Sequence, residues 1–311
     1  LTDRAPAAAI ILSIAAVERD TGLSKDTLRV WERRYGFPNP GRDPLGERAY
    51  TLADVEKLRI IKRLLDTGHR PGRVVTQSLA QLRAISEKTV DSALRATERV
   101  LGAADLDEHL SLIRSHDQPS LRSQLTRLLS RVGVARFVNE VVGPLNAAVG
   151  DAWLRGQLEV FEEHLYTEAM QVVLRAAIAS VPEPQGADAP RVLLTTFPGE
   201  PHGLGLLMAE AVLALEGCRC VSLGTQTPLW DVALAAKALH SDIVALSFTG
   251  CMNPNQIVSG LTELRAKLQP IVRLWAGGSA PVLHRRTVGG VEPFASLTDV
   301  SAALRRARTA T

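Results

Sequence analysis

The sequence predicts a multidomain chain of α and α/β class, in which a winged helix-turn-helix, a helical bundle and a doubly wound parallel-sheet domain follow one another. Three observations predict it. Residues 12–82 hold two capped helices, a Pro- and Gly-rich segment and a third capped helix. Residues 85–182 show helical periodicity with no convincing strand, and residues 190–311 alternate short apolar runs with helical stretches. At 311 residues and 46% hydrophobic content the chain is long enough for two or three domains, each with its own core.

Charge is unevenly placed. The net charge is +3, but residues 1–80 carry 14 Lys and Arg against 10 Asp and Glu, so the basic excess is N-terminal and points to a nucleic-acid contact there. No apolar run is long enough to span a bilayer, and "RAPAAAIILSIAAV", which mimics a signal-peptide core, leads directly into a predicted helix. Cys218, Cys220 and Cys251 cannot all pair and show no zinc spacing; buried, reduced thiols of a cytoplasmic protein are expected.

In the head, "LSIAAVERDTGLSKDTLRVWERRYG" reads as a short helix from Ser13, a Thr-Gly-Leu turn, and a second helix capped by Ser24. Leu28, Trp31 and Tyr35 make a core stripe on that second helix, while Lys25, Arg29 and Arg33 recur at fours on another face. "GFPNPGRDPLGERAY" cannot be helical and reads as a wing; "TLADVEKLRIIKRLLDTG" restarts a helix with Thr51 as N-cap and Asp54 three residues on, and stops at Gly68. This ordered set resembles the MerR family of transcriptional regulators over residues 12 to about 80. The resemblance implies that the second helix enters the major groove of double-stranded operator DNA, with Lys25, Thr27, Arg29 and Arg33 on the recognition helix and Arg42, Arg48 and Tyr50 in the wing. Arginine serves a phosphate or a guanine edge equally well, so which of these residues reads bases stays open.

The middle segment contains "TVDSALRATERVL", "LDEHLSLIRSH", "SLRSQLTRLLSRV", "ARFVNEVVGPLNAAVGDAWL" and "LEVFEEHLYTEAMQVVLRAAIASV", a bundle of four or five helices. Within it Trp153 is followed, after nine residues, by Glu163 and His164. By themselves these read as core and satisfied surface.

After the linker "VPEPQGADAP", the runs "RVLLTTF", "CRCVSLG", "DIVALSF" and "IVRLWAGG" are expected to form buried parallel strands. Ligands of such sheets bind outside the carboxyl ends of the strands. Three of those ends carry distinctive residues: Glu200, His202 and Gly205 after the first, Ser247 and Thr249 at the third, Gly277 and Gly278 at the fourth. Taken alone, His202 is a helix-capping histidine as readily as a ligand. Between Gly205 and Ser247 lie 41 intervening residues, and between Thr249 and Gly277 lie 27. Acid-x-His-x-x-Gly, Ser-x-Thr and Gly-Gly at these separations resemble the cobalamin-binding fold of methionine synthase and the base-off mutases. That resemblance implies His202 as the lower axial cobalt ligand, Glu200 as its orienting carboxylate, and Gly205, Ser247, Thr249, Gly277 and Gly278 around the displaced nucleotide tail. Glu200 stands where that family more often has Asp.

Head, bundle and cobalamin-binding domain in this order resemble the CarH/LitR class of light-responsive repressors over nearly the whole chain. The resemblance implies adenosylcobalamin as cofactor, Trp153, Glu163 and His164 around the adenosyl group, and a homo-oligomer, dimer or tetramer, that releases DNA when light cleaves the cobalt–carbon bond. One departure stands out: that class places a histidine directly after the Trp as an upper ligand after photolysis, and here the position is Leu154. The rival readings are a MerR-type regulator that senses another small molecule, or cobalamin without light; a corrinoid methyl-transfer protein; and a structural oligomerisation domain.

Overall fold

A computed structural model describes residues 11–66, 69–85, 101–184 and 189–309. They fall into two compact units, residues 1–89 and 90–311. Among the described residues no helix is long and apolar enough to cross a membrane.

In the first unit, β1 (Ile11–Ser13) leads into α1 (Ile14–Thr21), whose N-terminus is capped by the Ser13 hydroxyl. Gly22, at φ 69°, ends it in the left-handed region that an L side chain resists. α2 (Lys25–Tyr35) begins in the same way, with the Thr27 amide donating to the Ser24 hydroxyl at 3.1 Å. The predicted wing is a hairpin of β2 (Gly41–Arg42) and β3 (Arg48–Thr51), and β3 also pairs with β1 to make a three-stranded antiparallel sheet. The predicted capping box opens α3 (Leu52–Asp66): Thr51 N donates to Asp54 at 3.0 Å and Asp54 N to the Thr51 hydroxyl at 3.2 Å. Gly68, the expected stop, lies outside the described residues. Leu28 and Trp31 from the predicted stripe pack with Tyr50, Leu58 and Ile61 into one core, and Tyr35 lies at its edge.

The second unit begins with helices α5 (Ala103–Arg114) and α6 (Gln118–Val132), following the short α4 (Pro71–Val74) of the head. α7 (Val134–Arg136) runs through a π-helical turn, Phe137–Val142, into α8 (Gly143–Leu154), and α9 (Val160–Ala179) closes the bundle. The π turn precedes Gly143-Pro144; proline offers no N–H to the ladder, and the wider turn re-registers it. The expected helix "TVDSALRATERVL" lies, but for Leu101, outside the described residues.

Five parallel strands follow: β4 (Arg191–Thr195), β5 (Arg219–Ser222), β6 (Ile243–Phe248), β7 (Arg273–Gly278) and β8 (Val291–Phe294), in the order β5-β4-β6-β7-β8. Helices α10 (Leu204–Leu215) and α14 (Leu297–Thr309) cover one face; α11 (Leu229–Ala238), α12 (Pro254–Lys267) and the short α13 (Val282–Arg285) cover the other. Strand order reverses between β4 and β6, so the loops after these two strands open at the switch point where such sheets bind ligands. α10 also joins the sheet to the bundle. Its Leu207, Ala211 and Val212 belong to the same buried cluster as Leu125, Phe137 and Met170.

Replacing the Ser24 cap tests the local logic of the head. Ser24→Ala is expected to cost about 1 kcal/mol, read as roughly five-fold faster hydrogen exchange of the most protected α2 amides in the full chain; unchanged exchange would show that the cap is not limiting.

Candidate functional site

β4 ends in Thr195, and the chain turns through Gly199, at φ 89°, to place Glu200. The Glu200 side chain is fully buried, and hydrogen bonds take up its charge. The Thr249 amide donates to it at 2.6 Å, the Thr249 hydroxyl at 2.9 Å, the Cys251 thiol at 3.4 Å, and His202 meets it through Nδ1 at 2.7 Å. Burial alone pushes this carboxyl up, but the bonds from His202 and Thr249 outweigh it and hold the pKa below the ordinary value. The pairing works in both directions. Cys251 and Glu200 beside the imidazole raise His202 to about 10, against the opposing effect of its own burial.

The ligand atoms of Glu200, His202 and Cys251 lie within 4.8 Å of one another. At 2.7 Å, however, Glu200 Oε1 and His202 Nδ1 are hydrogen-bonded, too close to share a metal between them. The trio therefore orients the imidazole, and among the described residues no hydrogen-bond partner meets Nε2. Its side chain is 54% exposed, so that nitrogen is offered outward from a fixed ring. A metal taken there displaces the imidazolium proton, and the carboxylate on Nδ1 sets the tautomer.

Beside this loop lies a cavity of about 450 Å³ between α10, β6, β7 and α14. Gly205, Ser247, Gly277 and Gly278 line one end of it. Two of those glycines are demanded by space: a Cβ on Gly205 would lie 2.6 Å from the Ser247 hydroxyl, and one on Gly278, at φ 110°, 2.2 Å from the Phe248 carbonyl oxygen. β6 and β7 pair Ser247 with Gly277 and Phe248 with Gly278, which fixes those two strand ends in one register. A nitrogen donor held by a carboxylate, beside a slot walled by missing side chains, fits a base-off corrinoid with its nucleotide tail inserted.

One sequence-based expectation about this site changes. Thr249, expected in the slot, does not line the cavity; its amide and hydroxyl are used by Glu200, and it positions the carboxylate instead. The longer reach of Glu200, left open by the sequence, closes onto His202 without difficulty. Cys251 was read only as a reduced thiol, and it is a partner of that carboxylate. Thr196, fully buried, bonds the Glu200 carbonyl at 2.6 Å and receives the Gln226 amide at 2.8 Å; its signal in the sequence was a polar pair closing an apolar strand.

In the bundle, Trp153 lies at the end of α8, half-buried against the bundle core, while Glu163 and His164 lie near the start of α9. Glu163 accepts from the Thr167 hydroxyl at 2.7 Å and lies 3.7 Å from His164, which is largely exposed.

In the head, Arg29 and Arg33 are exposed on α2, and Arg42 is exposed on the wing, where it braces the turn through the Gly46 carbonyl at 2.9 Å. Lys25 pairs with Glu18 at 3.4 Å and Arg29 with Asp26 at 3.2 Å, exposed pairs that a phosphate can outcompete. Thr27 is half-buried, its hydroxyl sharing the cap with Ser24 at 2.8 Å. The wing expectation is corrected at one position: Tyr50 is fully buried, so its ring builds the core rather than facing a groove, while Arg48 is half-buried and pairs with Glu32 at 2.8 Å.

The MerR HTH family regulatory protein model matches residues 12–76, and a B12 binding domain model matches residues 106–178. The chain is 30% identical over 264 residues to the HTH-type transcriptional repressor CarH of Myxococcus xanthus, covering 85% of this chain and 87% of CarH. It is 31% identical over 265 residues to the HTH-type transcriptional repressor CarA of the same organism, covering 82% and 83%. Among solved structures, the monomethylamine corrinoid protein of Methanosarcina barkeri aligns with a TM-score of 0.53 at 15% identity, over 64% of this chain and 96% of that one, a likeness of fold alone. A MerR head, a B12-binding region and relatives matched over most of their length place this chain in the family of MerR-type transcriptional regulators with a cobalamin-binding domain to which CarH and CarA belong.

Proposed function

We propose that this regulator represses transcription as a homo-oligomer, that adenosylcobalamin is its cofactor, and that light is its trigger. The observation that carries the reading is His202, fixed through Nδ1 by a buried carboxylate and open at Nε2, beside a slot able to take the nucleotide tail. When bound, the cofactor supplies a cobalt–carbon bond weak enough for visible light to break.

Each residue then has a task. His202 holds the lower face, Glu200 and Thr249 hold His202, and Gly205, Ser247, Gly277 and Gly278 give the tail its space. Trp153, Glu163 and His164 would hold the adenosyl group, and the packing of the bundle that carries them would depend on whether that group is there. Oligomerisation sets several heads on one operator, and avidity strengthens their grip without new contacts. Arg29, Arg33 and Arg42 supply phosphate or base contacts.

One residue favours a second reading. Leu154 carries no ligating atom, so no side chain at that position can trap cobalt after photolysis, and cobalamin sensing without light becomes the alternative. The two readings separate on size-exclusion and operator-binding profiles of the adenosylcobalamin-loaded chain. Light gating predicts a larger, DNA-bound species in darkness and a smaller, released one after green light. Identical profiles would leave cobalamin sensing alone.

Two substitutions probe the parts. Glu200→Gln is expected to weaken corrinoid binding about 10–100-fold by disorienting His202, measured by absorbance titration; unchanged affinity would remove Glu200 from the site. Arg33→Ala is expected to lower the salt slope of DNA binding by about 0.9 for a phosphate contact, whereas an unchanged slope with relaxed sequence preference would assign it to a base.

A further inference from the structure

One residue that lines the cavity carries a buried hydrogen-bond donor with no acceptor among the described residues. Trp275 sits in the middle of β7 and is 2% exposed, its ring meeting Phe294 edge-on at 4.9 Å. Its indole Nε1 is buried and has no hydrogen-bond partner among the described residues. The buried cluster it belongs to includes Leu206, Leu213, Ala245 and Val300, with no side-chain acceptor stronger than the sulfurs of Cys218 and Cys220. Buried indole N–H groups ordinarily find a partner, so an orphan on a residue that lines a slot points to an occupant that brings the missing acceptor as it enters. Trp275 lines the same cavity as Gly205, Ser247 and Gly278.

We infer that Trp275 is a specificity residue for the lower base of the corrinoid, its indole N–H donating to the ring nitrogen that His202 displaces from cobalt. The inference rests on the proposed function. Displacement leaves that base nitrogen with a free lone pair, and insertion into the slot takes it out of water. A buried acceptor without a donor and a buried donor without an acceptor each carry a desolvation cost, and one bond removes both. The class of ligand follows from this. Cobamides with a benzimidazole or purine base carry such a nitrogen; cobamides with a phenolic base carry none, though they share the same ribose and phosphate. A leucine or phenylalanine would fill the position as well if packing were its only task.

The test is a cycle of dark absorbance titrations on the full chain, crossing wild type and Trp275→Phe with a dimethylbenzimidazolyl and a phenolyl cobamide. The cycle cancels the different cost of removing each base from cobalt. The benzimidazolyl-to-phenolyl affinity ratio is expected to fall about ten-fold in the variant, about 1.4 kcal/mol, with phenolyl binding unchanged. A ratio that stays constant, whether both affinities fall or neither does, overturns the inference. A second readout needs no variant: with heavy-nitrogen tryptophan in the wild-type chain, one indole N–H resonance moves downfield with the benzimidazolyl cobamide and stays with the phenolyl one, and no such difference also overturns it. If wild type binds neither corrinoid at saturation, it is the proposed function that fails, a result distinct from binding without discrimination.

Discussion

A carboxylate with no exposure organises this molecule's ligand-binding end. Burying Glu200 as an anion is costly unless every lone pair is used, and removing one partner of such a group leaves an uncompensated charge. Five donors from two loops meet it: the Thr249 amide, the Thr249 hydroxyl, the Cys251 thiol, the His202 amide and the His202 imidazole. The loops after β4 and β6 are therefore tied to each other through one side chain, and the orientation of His202 is a consequence of that tie. The parallel register of β4 with β6, Thr195 opposite Leu246, brings the two loops to the same end of the sheet.

Position matters as much as chemistry. His202 precedes α10 by two residues, and α10 leads a double life. On one side it covers the sheet and walls the cavity through Leu206 and Leu213; on the other, Leu207, Ala211 and Val212 are buried with the bundle. A close-packed interior transmits small displacements rather than absorbing them. Whatever loads His202 thus loads the helix that the bundle packs on, and the bundle carries Trp153, Glu163 and His164. The π turn beside Gly143, which itself lines the cavity, is a second place where bundle and slot meet.

Much of this could be read from residue order. Caps were plain in the sequence because Ser13, Ser24 and Thr51 satisfy helix amides locally, and glycine at Gly22 and Gly36 takes a backbone conformation few other residues adopt. Four of the five strands announced themselves as apolar runs. β8 did not, because Glu292 and Pro293 interrupt it, which an edge strand tolerates. The spacing of Glu200, His202, Ser247 and Gly277 was equally visible. Hidden from it were contacts between residues far apart in the chain: Cys251 on Glu200, Glu32 on Arg48, and the burial of Tyr50 and of the Trp275 indole, none of which has a local pattern. Thr249 shows the difference well, since a hydroxyl next to a glycine-lined slot and one bonded to a carboxylate look alike in one dimension.

The most direct measurement concerns the bond on which all of this turns. Electron paramagnetic resonance of the chain loaded with paramagnetic cobalt(II) cobalamin reads which nitrogen sits on the lower face, and heavy-nitrogen labelling confined to histidine distinguishes protein from cofactor. If His202 coordinates through Nε2, the nitrogen splitting changes from a triplet to a doublet on labelling and is lost from the labelled form in His202→Ala. A triplet that survives histidine labelling means that the cofactor keeps its own base on cobalt, and the oriented imidazole is then not a ligand.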